Sequence, residues 1–464
     1  MRNVYARLGS RFMPFADVAS DTLPLGRLLR LSLFQVTVGM AIVLLIGTLN
    51  RVMIVELGVP AWLVAAMVGL PLVFAPVRAV IGFKSDTHRS VLGWRRVPYL
   101  WFGTLLQFGG LAIMPFAILI LSGDTTGPAW VGTVAAALAF LMVGAGLHTI
   151  QTVGLALATD LSPPETHPRV VAMLCMALLM GMVVSGLLFG ALLAHFTPLR
   201  LVQVVQGTAV VTIVLNAIAL WKQEARNPGA TAARATPSFR ATWARFNAGT
   251  DSRRRLVALG FGTVAFSMQD ILLEPYGGHV LGLSVGDTTL MTALLAMGGL
   301  FGFGGAARWL GRGMDPYRLA AAGALVGLVA FSAVIFAAPM HAAGLFAVGV
   351  TLIGLGAGLF AHCTLTAAMA GADPAHVGLT LGIWGAVQAT AAGLAVAGGG
   401  LIRDGVAYLA DRAVLGPTLI DPATGYVAVY TIELALLFAT LIAIGPLVRN
   451  TVPGRLVHAP LTPC

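Results

Sequence analysis

From Val97 to Leu121 the chain carries no charged side chain at all, and apolar runs of this kind recur along its whole course. A continuous apolar stretch of about 20 residues crosses the hydrocarbon core of a bilayer as one helix. Strands of a membrane barrel would instead alternate polar and apolar residues over about ten positions. Composition agrees, since 58% of residues are hydrophobic and only 10% charged, against roughly a quarter charged in soluble domains. The chain therefore reads as an all-α, polytopic membrane protein.

Twelve spans are expected, at 31–50, 61–82, 97–121, 128–158, 169–194, 199–221, 255–275, 287–309, 317–338, 343–368, 376–401 and 425–447. They divide the chain into an N-terminal arm (1–30), a six-helix bundle (31–221), a linker (222–254), a second six-helix bundle (255–447) and a tail (448–464). The net charge of +10 is unevenly placed: all but Arg51, Arg200, Arg403 and Arg412 of the 28 lysines and arginines fall on the side of the termini. That is the positive-inside pattern, which puts both termini in the cytoplasm and argues against nucleic acid as a partner. The linker and the first residue of the span after it hold eight basic residues, from Lys222 to Arg255, against Glu224 and Asp251. Phe239, Trp243 and Phe246 recur in it at helical spacing beside Arg240 and Arg245, which suits either a short helix on anionic lipid headgroups or a solvated linker.

Two related halves are suggested by an internal match. Gly144-Ala145-Gly146-Leu147 recurs as Gly356-Ala357-Gly358-Leu359, an offset of 212 residues (356 minus 144). Gly58 and Gly282 precede spans two and eight, and Gly186 and Gly393 sit at matching depth in spans five and eleven. Parallel repeats of this kind build facilitator-type transporters. The charged island Gly82 to Tyr99 points the same way: Gly82-x3-Asp86, Arg89, and Gly93-x-Arg95-Arg96 resemble the loop between helices two and three of the major facilitator superfamily. In that loop Asp86 can pair with Lys84, Arg89, Arg95 or Arg96.

Ionisable groups inside a span are costly and are candidates for function by default. Asp270 and Glu274 lie one turn apart at the end of span seven, ahead of Pro275, which is expected to stop the helix. Arg51 ends span one on the same side. Pairing of Arg51 with Asp270 or Glu274 would latch the halves together there; the alternative is that all three simply meet water at the interface. His148 and His362 sit mid-span, each four residues after a glycine (Gly144, Gly358). Such an imidazole either hydrogen-bonds a neighbouring helix or ligates the magnesium of a chlorin laid against the helix. Gln107, Gln151, Gln388 and Glu433 either line a cavity or make packing hydrogen bonds. No phosphate-cradling loop, His/Cys metal cluster or nucleophile elbow is present, so catalytic and metal sites are not expected.

Longer matches narrow the resemblance. Leu31 to Met40, Gly47 to Gly58, Ser85 to Tyr99, the stretch His148 to Asp160, and Gln269 to Gly278 resemble the PucC/LhaA family of purple photosynthetic bacteria. The resemblance implies a bacteriochlorophyll-delivery branch of the facilitator superfamily, non-enzymatic and seated in the intracytoplasmic photosynthetic inner membrane. Its members assist assembly of light-harvesting antenna complexes, handing pigment to antenna polypeptides or shepherding those polypeptides. The implied partners are the antenna polypeptides and bacteriochlorophyll or its synthase. Departures from ordinary transporters fit: the 82–99 loop is long, span four lacks the usual arginine, and span five has no Gly-Pro pair. The alternative is a secondary transporter of a small solute or pigment precursor, either facilitative or proton-coupled through Glu274 or Asp270. A membrane scaffold is a third reading.

Overall fold

The structure, a computed structural model, describes residues 23–71, 81, 84–85, 94–121, 128–163, 166–224, 250–370 and 377–449. The linker aromatics, Gly82, Asp86, Arg89 and Gly93 lie outside them. The first half contains α1 (Leu25–Glu56), α2 (from Ala61–Gly69), α3 (Val97–Leu121), α4 (Ala129–Asp160), α5 (His167–Leu192) and α6 (Pro198–Leu220). In the second half, α7a (Thr250–Ser267) and α7b (Leu273–His279) are followed by α8 (Val285–Leu310), α9 (Pro316–Ala337), α10 (Ala343–Ala370), α11 (Val377–Asp411) and α12 (Thr424–Arg449). Eleven of these spans are long and apolar enough to cross a membrane, and for α2 only the first turns are described.

Large apolar side chains such as Phe116, Leu394 and Ile442 point outward, as lipid-facing residues must. Between helices the contacts fall to glycine, because lipid offers no hydrophobic drive and close backbone approach supplies the attraction. Gly103 of α3 meets the Gly146 carbonyl of α4, and Gly323 of α9 meets the Gly356 carbonyl of α10. Gly110 against Ala139 and Ala330 against Gly349 repeat this one step on. The two halves are thus related as expected, but these contacts equate Gly146 with Gly356, an offset of 210 (356 minus 146), not the 212 that the tetrapeptide match implies. In Gly/Ala-rich helices a two-residue slip leaves the letters matched while the packing faces differ. Gly58 and Gly282 are equivalent in conformation too, both left-handed at φ +62° and +65°, which favours glycine at each turn.

Spans one and seven are irregular within their described residues. α1 widens into π-helical turns at Val43–Leu49 and Val52–Glu56, carrying it to Glu56 and beyond the expected end at 50. Span seven breaks into a 3-10 turn at Met268–Ile271 and then resumes as α7b. Pro275 therefore does not stop the helix. It lies in the first turn of α7b, where a proline's missing N–H costs nothing. α11 also outruns its expected end, and the ten added residues bring Arg403 and Asp404 into the helix.

Candidate functional site

The two halves meet along two glycine-lined seams at the face remote from the termini. α5 packs on α8 through Gly190 against Gly286, Gly286 against Ala194, Gly186 against Ala293 and, at mid-depth, Leu179 against Gly299. α2 packs on α11 through Gly400 against Ala61 and Ala65 and through Gly69 against Gly393. Gly186 and Gly393 thus serve equivalent seams, as their matching depth suggests.

Between the seams the irregular segments of α1 and span seven face each other, and polar side chains cross from one half to the other. Asn50 Nδ2 donates to the Ile271 carbonyl at 2.6 Å and to Ile46 at 2.9 Å. Thr48 Oγ1 lies 3.1 Å from Thr289 Oγ1. Gly47 abuts the Glu274 carboxylate, which accepts from Thr292 Oγ1. All of these side chains are buried, and their exchange of carbonyl and hydroxyl partners is what a 3-10 break makes available, because i→i+4 pairing lapses there.

Arg51 does help to hold the halves together, but with different partners from those expected. Its guanidinium pairs with Glu56 on its own helix and donates to the Leu283 carbonyl of the other half at 3.1 Å, passing close to Gly278. Glu274 is turned to Thr292, and Asp270 accepts from Gln269 Nε2 at 2.5 Å. The π turns explain the change: a wider turn sets residue i+5 in reach, so Arg51 finds Glu56 before it reaches across.

A second tie crosses at the end of α2. The residue before that helix is Pro60, which has no side-chain acceptor, and no cap comes from its own segment. Asp404 of α11 fills the role from the other half, accepting the Trp62 N–H at 2.7 Å. Asp404 is held by Arg403 at 2.6 Å, whose other donor reaches the Tyr426 hydroxyl at 3.2 Å, and His279 Nδ1 lies 2.8 Å from the same hydroxyl. Two of the four arginines assigned to this face are therefore engaged in the closure, while Arg412 covers the Tyr408 ring and Arg200 bonds the His195 carbonyl.

On the opposite face, Arg95 and Arg96 both pair with Asp160 at the end of α4. Glu224, just beyond α6, accepts the backbone N–H groups of Arg95, Arg96 and Val97 at 2.8 to 3.0 Å and so caps α3. Arg96 also donates to Ser85, and Arg27 holds Gln223. The loop's two described arginines thus clamp α3, α4 and the start of the linker into one block.

The histidines stand apart from these ties. His148 is half-buried on α4, and the notch beside Gly144, one turn earlier, is filled by the Pro71 ring. His362 is buried on α10 with its ring 4.1 Å from that of Phe303, its Nδ1 without a partner, and Gly358 pressed on the Gly299 carbonyl. The glycines therefore serve helix packing, and a macrocycle would have to approach either imidazole from another side. Gln107 makes a packing bond to the Thr37 carbonyl at 3.0 Å. Asp404, Asp160 and Glu224 escape sequence reasoning because each caps or pairs with a segment far along the chain. Asp404 has one local sign, an acid directly beside one of the few arginines on its face.

The family described as PUCC protein matches residues 48–452. Protein PucC of Rhodovulum sulfidophilum is 57% identical over 411 residues, 87% of this chain and 90% of that protein. An uncharacterized protein of the puhA-bchM intergenic region of Rhodobacter capsulatus is 55% identical over 458 residues, 98% of this chain and 95% of that protein. Among solved structures, a bacterial homologue of the human lysosomal transporter Spinster, inward-facing and unoccupied, superposes with a TM-score of 0.66 at 15% identity, covering 91% of this chain and 96% of that one. The chain is a multi-pass membrane protein with the major facilitator fold, and it belongs to the PUCC protein family.

Proposed function

We propose that this protein is an assembly factor for bacterial light-harvesting antenna complexes, acting without catalysis by delivering bacteriochlorophyll to antenna polypeptides or chaperoning them. The observation that carries the reading is the family match over residues 48–452, with relatives more than half identical along nearly the whole chain. The site of action is the intracytoplasmic photosynthetic membrane with both termini in the cytoplasm, a reading that the charge asymmetry supports. The described closure of the halves then lies on the periplasmic side. A cargo that is itself apolar suits spans whose outward faces are continuous hydrocarbon. His148, half-buried, is the better placed of the two histidines to reach a pigment magnesium.

One observation favours secondary transport as the second reading: α1 and span seven are both irregular where they face each other, and interrupted helices are what transporters use to hold substrate and coupling ions. The two are separated by purifying the protein in mild detergent from pigment-making cells, beside His148→Ala and His362→Ala. Near-infrared bacteriochlorophyll in stoichiometric amount, lost in one variant, is the expected result. A colourless protein that brings down no antenna polypeptide, from cells whose antenna assembles normally without it, would overturn the assembly reading.

A further inference from the structure

The break in span seven holds a group that the closure does not use. Glu433 of α12 is fully buried, accepts the Gln269 N–H on Oε1 at 2.7 Å, and has no partner on Oε2. Gln269 is 1% exposed; its side-chain nitrogen holds Asp270 at 2.5 Å, and its Oε1 has no partner either. Two carboxylates therefore converge on one residue from either side, with two acceptor oxygens turned inward and unsatisfied. Asp270 is half-buried and so is the more exposed of the two carboxylates.

The charged and titratable neighbours are few. Asp270 faces Glu433 from span seven, and Tyr430 lies one turn away on α12 itself. Arg403 and Asp404 of α11 are paired with each other and with Tyr426. α9 brings no Asp, Glu, Lys, Arg or His between Leu319 and Ala337, and Arg51 of α1 is committed to Glu56. Among the described residues no cation meets Glu433, and no group of three His, Cys, Asp or Glu converges to hold a metal ion. Burial takes the carboxylate out of bulk solvent, and a bare charge there without a counter-charge is strongly disfavoured.

We propose that Glu433 and Asp270 form a proton-binding site at the break in span seven. A hydronium ion gives its proton to the Asp270 carboxylate and leaves as water. The proton passes to Glu433 Oε2, where an O–H bond forms and the charge is cancelled, and Asp270 returns to its carboxylate. The neutral acid then is a donor, and of the two unsatisfied oxygens only Gln269 Oε1 is left as an acceptor. Release reverses these steps. The same 3-10 turn supplies the Ile271 carbonyl that Asn50 grips from the other half, so loss of the proton disturbs the turn on which the closure rests.

The test is pH-difference infrared spectroscopy of the full chain in lipid nanodiscs, with spin labels on a cysteine-free background at Leu199→Cys and Val414→Cys, both exposed at the remote face. The expected result is a protonated-carboxyl band that shifts in heavy water, vanishes in Glu433→Gln and moves in Asp270→Asn. Glu433→Gln keeps the oxygen that accepts from Gln269, so it should fold. The label separation should change with pH in the parent and not in Glu433→Gln. A band that survives Glu433→Gln, or a sodium-dependent rise in thermal stability that this variant abolishes, would overturn the proton site. A label separation that is independent of pH in the parent would overturn its link to closure.

Discussion

Removing the Asp404 carboxylate tests the closure at its most specific point. The first N–H groups of any helix lack intrahelical partners, and Pro60 cannot supply one to α2. Asp404 is also the only partner of the Trp62 N–H in the described structure, at 2.7 Å, and its side chain is 18% exposed. Loss of a carboxylate cap costs about 1 kcal/mol. The Arg403–Asp404 pair lies within α11 and is kept whether or not the halves are closed, so it adds nothing to closure. Asp404→Ala should therefore weaken closure by about 1 kcal/mol, which is roughly a 5-fold shift toward the open arrangement. Hydrogen exchange at the Trp62 and Leu63 amides, read by mass spectrometry in nanodiscs, should accelerate by a similar factor. Asp404→Asn keeps an oxygen acceptor and should give about half the effect in free energy, since neutral hydrogen bonds are roughly half as strong. Unchanged exchange at Trp62 in Asp404→Ala would refute the reasoning, because the amide would then be capped or closed by something other than α11.

Two further changes probe the seams and the opposite face. Gly286→Val places a branched side chain where even a Cβ would lie 2.8 Å from the Ala194 backbone; it should cost about 1–3 kcal/mol of closure, seen as a longer distance between labels on α5 and α8, with folding of each half retained. Glu224→Ala strips the cap from three N–H groups of α3 and should lower thermal stability by about 1–2 kcal/mol, while Glu224→Gln recovers part of it in the same melting assay.

Much of the architecture is legible in the sequence because bilayer thickness sets a length that apolar runs either meet or do not. Spans such as Val97–Leu121 fall where expected to the residue. What escapes is irregularity within a span. Nothing in Val43–Leu49 distinguishes a π turn from an α turn, since both expose the same apolar surface to neighbours. Pro275 misleads for a related reason: a proline ends a helix or begins one, and only the 3-10 turn before it decides which.

The site follows the same division. Sequence picks out the right neighbourhood, Arg51 beside the turn of Asp270 and Glu274, because ionisable residues in apolar runs stand out. It assigns the wrong partners because charge complementarity is the only pairing rule that sequence offers. In the folded chain the crossing bonds end largely on backbone: Asn50 on the Ile271 carbonyl, Arg51 on the Leu283 carbonyl and Asp404 on the Trp62 N–H. Backbone groups carry no residue identity, so such ties leave no trace in the letters of the partner. They also suit a joint that must open. A carbonyl or N–H freed from a side chain can turn to water or a neighbouring turn, whereas a separated buried ion pair leaves two charges stranded. A closure built on backbone acceptors and glycine contact is thus held by many small terms, and a change of charge on the fully buried Glu433 behind the 3-10 turn acts on several of them together.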